Sequence, residues 1–119
     1  MASGPTYAQL VSDVRDPLRI LYNDTLVFLS FQPTTSTQLQ LLNHLEKCLD
    51  NLVWMVEDPR HSPIMVVGAI KQSLITFDID YIQKTLGKMK SIRSSHLQTY
   101  LGRIGDVCET FRFILQQQQ

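Results

Sequence analysis

The stretch SPIMVVGAIKQSLITFDIDYI, residues 62–82, decides the fold. Its apolar start, IMVV, is rich in β-branched residues, and Ile75, Phe77, Ile79 and Tyr81 then alternate as a half-buried strand would. A hairpin between Ile64 and Tyr81 is therefore the alternative to weigh. The punctuation points the other way. Ser62 followed by Pro63 is a cap with a proline at the first helical position, and Asp78 stands as a second cap before IDYIQKTL. Caps of this kind supply acceptors for the free N–H groups of a helix start, and a strand has no use for them. The reading is two helices.

The same punctuation recurs outward from this stretch. Thr6 caps a short helix YAQLVSDV, and Asp16 with Pro17 opens a second, PLRILYNDTLVFLSF. The loop QPTTS leads to Thr35 or Ser36 as the cap of TQLQLLNHLEKCLDNLVWMVE, which DPRHSP ends. After IDYIQKTLGKMKS, Ser95 opens the last helix, HLQTYLGRIGDVCETFRFIL. The expectation is an all-α fold, a compact antiparallel bundle of five to six helices in one domain over residues 6–115. Residues 1–5 read as flexible. The glutamines at 116–119 read as the start of a longer low-complexity region, a neighbour common in transcription-associated proteins.

Stepping about 100° per residue assigns the faces. Leu41, Leu42, Leu45, Cys48, Leu49, Leu52, Val53, Met55 and Val56 share one arc, and Leu97, Tyr100, Leu101, Ile104, Val107, Cys108, Phe111, Ile114 and Leu115 share another. The helix of residues 17–31 is apolar nearly all round, which suits the middle of the fold or a place beneath a partner, and the middle is the expectation.

Composition bounds the function. Charged residues are 18% of the 119, below the roughly 25% usual in soluble domains, so apolar surface is either packed into a core or held for a partner. The net charge is zero, but residues 1–60 carry four basic and seven acidic side chains and residues 61–119 carry seven and four. No apolar run approaches the roughly 18 residues of a membrane span, and no membrane partner is expected. Cys48 and Cys108 are too few for a disulfide framework and sit on apolar stripes, as reduced thiols of an intracellular protein, nuclear or cytoplasmic, would.

No catalytic, cofactor-binding or metal-binding constellation is assigned. His44 and Cys48 are four apart, but zinc wants three or four ligands and no second pair follows. Asp78 and Asp80 in one first turn read as cap and dipole partners rather than as an acid–base pair. Gly68 and Gly87 are isolated and form no phosphate loop.

The candidate residues are on surfaces instead. Trp54 points away from the arc of its own helix, and Phe113 points away from the stripe of the last helix. Such a residue is covered by another element of the domain, for which YAQLV is the nearest source, or it belongs to a binding surface. Gly102 and Gly105 on the outer side of the last helix offer close approach to another backbone. Between residues 81 and 105 there is no acidic residue, and Lys84, Lys88 and Arg93 form an electrostatic rim. The expected function is a non-catalytic protein–protein interaction domain, a scaffold or adaptor subunit of an intracellular complex. The alternatives are nucleic-acid binding through the basic stretch from Lys84 to Arg103, against which the neutral overall balance weighs, and homo-oligomerisation through the glycine face.

Overall fold

A computed structural model describes residues 6–58 and 60–117. Five α-helices account for most of them: α1 Tyr7–Ser30, α2 Ser36–Glu57, α3 Pro63–Thr76, α4 Ile79–Leu86 and α5 Ser94–Gln117. The stretch 62–82 is helical on both sides of a short connection, and no strand occurs among the described residues. The alternation at 75–81 spans that connection. Phe77 is buried at the end of α3, while Ile75 and Tyr81 face out.

The caps work as read at four of the helix starts. Thr6 and Thr35 each accept from the N–H three residues on, and Gln9 and Gln38 return the bond, forming two capping boxes. Ser62 accepts from Met65 at 3.3 Å and Asp78 from Tyr81 at 3.2 Å. The last helix starts at Ser94, two residues earlier than expected, with the N–H of Leu97 on the Arg93 carbonyl at 2.9 Å. It runs on through Gln117, past the expected boundary at 115, whereas the segment 1–5 and residues 118–119 lie outside the described residues.

The expected break at Asp16–Pro17 does not occur. Helix α1 runs 24 residues with Pro17 inside it, so six candidate helices become five. Proline's fixed φ suits a helix; its cost is the N–H that would have reached the Asp13 carbonyl, about 3 kcal/mol in a helix interior. Across that point Leu10, Val14, Leu18 and Leu21 form one buried stripe. At about 1.5–3 kcal/mol for each side chain buried, the stripe outweighs the missing bond.

Helix α4 ends at Leu86 rather than continuing to Ser91. A Cβ on Gly87 would stand 2.6 Å from the Gln83 carbonyl oxygen, so the tight stop needs glycine there. The loop that follows is held by two buried side chains, Met89 and Ile92, and by the bonds Met89 N–H to Leu86 and Ile92 N–H to Met89.

Helix α1 packs chiefly on α2 and α5; α3 lies against α2 and α5, and α4 against the same two. It is not the enclosed central helix its composition suggested. Leu18, Leu21 and Phe28 are buried, but Ile20, Leu26 and Val27 lie on an open second face. Between α2 and α3, Cys48 meets Ser73 and His44 meets Thr76, each at 3.4 Å. Between α1 and α5, Phe28 meets His96 while the earlier Asp24 meets the later Arg103. The result is a rod of 51 × 24 × 21 Å.

Candidate interaction surface

Helix α2 buries its leucine arc, and this forces Trp54 outward: Leu45, Leu49 and Leu52 are at most 1% exposed while Trp54 is 57% exposed. The segment Tyr7–Val11 does not cover it. That segment lines a neighbouring cavity of about 280 Å³ with Met55, Val56, His61 and Val66. His61 meets the indole edge-on, ring centres 4.1 Å apart and planes at 68°.

His61 is held there by the turn after α2. Its Nδ1 lies 3.1 Å from the Asp58 carbonyl oxygen, so Nδ1 is the protonated nitrogen that donates. Asp58 in turn is gripped by Arg60, whose Nε and terminal nitrogen each reach a carboxylate oxygen at 3.0 Å and whose N–H bonds Oδ1. These bonds to Arg60 hold the Asp58 carboxyl down to about 2. At the same helix end, Glu57 pairs with Arg19 of α1 and raises its guanidinium above the ordinary value.

Helix α3 also leaves apolar side chains exposed. Ile64 is 85% and Ile75 75% exposed, with Gly68 and Lys71 between them at helical spacing and Met65 beside them. Nothing lies within 4 Å of where a Gly68 Cβ would stand. The furrow between α2 and α3, about 210 Å³, is lined by His44, Lys47 and Asn51 on one wall and Ala69, Gln72 and Thr76 on the other. Trp54 is one turn beyond Asn51 and Met65 one turn before Ala69, so the furrow leads into the exposed aromatic and aliphatic groups. Sequence reading missed Ile64, Met65 and Ile75. The signal was present: α3 has one charged residue in fourteen and apolar residues on every side.

The other candidates separate. Phe113 is 48% exposed and Gly102 has open space beside it. Gly105 instead faces Ile79 of α4, whose Cδ1 would lie 3.6 Å from an added Cβ, so it serves packing inside the domain. Lys84, Lys88 and Arg93 do not rim Trp54. Lys88 lies beside Phe31 and Thr34, at the start of α2, while Trp54 is 18 residues further along that helix. At 1.5 Å per residue the separation is about 27 Å. Arg103 and His96, in the same basic stretch, both reach Asp24 at 3.4 Å.

Cys48 and Cys108 are both free, and burial pushes both thiols up from the ordinary 9.0. Among the described residues no group of three or more His, Cys, Asp or Glu stands close enough to hold a metal ion. No helix among them is long and apolar enough to cross a membrane. Comparison with models of protein families, with curated protein sequences and with solved structures found no match for this chain.

Proposed function

We propose that this chain is a non-catalytic interaction module, an antiparallel helical bundle that serves as an adaptor or scaffold subunit of an intracellular protein complex. The observation that carries the reading is the set of large apolar side chains that α2 and α3 leave exposed, Trp54, Ile64, Met65 and Ile75. Large apolar side chains left exposed, a tryptophan among them, are what partner proteins bury. His61, bonded to the Asp58 carbonyl, packs edge-on against the Trp54 indole. Phe113 is a further anchor on α5, and the two free thiols accord with a reducing compartment.

The test compares Trp54→Ser, Ile64→Ser and Phe113→Ser with the natural chain. Each variant is expected to keep its helical circular dichroism, because these side chains are outside the core. Proteins captured from a cell extract by the natural chain should be lost from the Trp54 and Ile64 variants. Removing a buried anchor worth about 2 kcal/mol or more weakens binding by roughly 30-fold. Unfolded variants, or an unchanged set of captured proteins, would refute the proposal.

Self-association is a second reading, favoured by the open space at Gly68 between Ile64 and Ile75. It requires a dimer mass in light scattering that reverts to monomer in Ile64→Ser.

A further inference from the structure

The end of the rod away from Trp54 is electropositive, and it is built as a cleft. The chain between α1 and α2 meets the 87–93 loop there, and the start of α5 joins the last turns of α1 through His96 and Phe28. None of them brings an acidic side chain, since residues 25–45 and 81–105 contain no Asp or Glu. Lys84, Lys88, Lys90 and Arg93 are all exposed and take part in no salt bridge among the described residues. Elsewhere acidic side chains stand among the cations, and Arg19 and Arg60 are each paired with a carboxylate.

A cleft of about 380 Å³ opens between Lys88 and Lys90 on one wall and Phe31, Gln32 and Thr34 on the other. Both walls are held by internal bonds. The Gln38 side-chain oxygen, on a residue that is itself buried, accepts from Thr34 N–H, Thr34 hydroxyl and Thr35 N–H at 3.1–3.3 Å. Met89, buried beneath the lysine wall, anchors the other side. The cleft is therefore formed in advance of any ligand. Its margin is apolar: Phe31 is 38% exposed, Val27 is one turn before it on α1, and Leu39 is exposed near the start of α2.

We infer that this end is a second docking site, which takes an acidic peptide segment of a partner protein. Carboxylates would meet Lys84, Lys88, Lys90 and Arg93, and one apolar side chain would enter the cleft beside Phe31. The charge is complementary to such a segment, and the aliphatic margin has no counterpart in a phosphate backbone. Single-stranded nucleic acid uses several aromatic platforms, and here Phe31 stands alone beside two aliphatic residues. The site is independent of the Trp54 face, so neither reading depends on the other.

The test is fluorescence anisotropy with a labelled glutamate-rich peptide carrying one central phenylalanine, run beside the same peptide with alanine and beside oligothymidylate. The phenylalanine peptide is expected to bind, to weaken as salt rises, and to bind roughly tenfold more weakly to Lys88→Glu/Lys90→Glu. Trp54→Ser should bind it as the natural chain does, and Lys84→Gln/Arg93→Gln should weaken it while keeping full helicity. Several outcomes overturn the inference: no binding at low salt, equal binding by the charge-reversed variant, equal affinity for the alanine peptide, or loss of binding in Trp54→Ser. Tighter binding of oligothymidylate would assign this end to nucleic acid instead.

Discussion

Tyr100 carries a hydroxyl into the driest part of the core because Thr25 is there to receive it. The two oxygens are 2.7 Å apart, and Thr25 in turn donates to the Leu21 carbonyl at 2.7 Å, so Tyr100 is the donor in the pair. Burial pushes the phenol far above its ordinary value of 10.0. Replacing Tyr100 with Phe should cost about 1 kcal/mol, the net value of one neutral hydrogen bond, because Thr25 keeps its carbonyl partner. Thermal unfolding of the variant checks this, and a loss above about 3 kcal/mol would show that more than the hydroxyl is at stake. At this scale the sequence was half legible. Helical spacing placed Tyr100 inward and Trp54 outward, and both orientations hold. Thr25 as its partner, 75 residues away, and His61 against the indole follow only from how helices and loops meet, which spacing along one helix does not encode.

Among the elements, α1 is where local rules and tertiary packing disagree. Asp16–Pro17 carries a strong helix-start signal, and the buried stripe from Leu10 to Leu21 overrides it. Pro17→Ala should therefore stabilise the fold, by about 1–3 kcal/mol, since it restores the bond to the Asp13 carbonyl and relieves the ring's crowding of that turn. Urea unfolding measures it. A destabilised variant would mean that the proline's own packing matters more than the missing bond. Helix α3 was legible as a helix from its cap but not in its faces. With apolar residues all round, no stripe marks which side is buried, and only contact with α2 and α5 selects Val66 and Ile70 over Ile64 and Ile75. The basic stretch was likewise legible as a run. Its division was not, because Asp24 of another helix takes up His96 and Arg103 and leaves four cations unpaired.

For the whole molecule, the titrating groups define a window of stability. Burial raises Cys48, Cys108 and Tyr100, and also Tyr7, above their ordinary values of 9.0 and 10.0. A group whose value is raised on folding stabilises fully below its unfolded value and loses that contribution as pH climbs toward the folded one. Asp58 is depressed from 3.8 to about 2, so its contribution is present above 3.8 and fades as pH falls through 2. Denaturation midpoints should be level from about pH 4 to about pH 9 and fall beyond on the alkaline side. Midpoints that hold steady to pH 11 would contradict the burial of these thiols and of Tyr100. The thiols should also alkylate more slowly at neutral pH than a free cysteine.

Helix α2 begins at the wall of the basic cleft and reaches Trp54 without a break. The two proposed surfaces are thus joined by one rigid element that also carries the core arc of Leu42, Leu45, Leu49 and Leu52. One residue inserted between them would lengthen the helix by only about 1.5 Å but turn everything beyond it by about 100°. That turn would drive the leucines of the second half out of the core. Packing therefore acts as a phase lock: the angle at which one partner is presented relative to the other is fixed by the same residues that hold the protein folded.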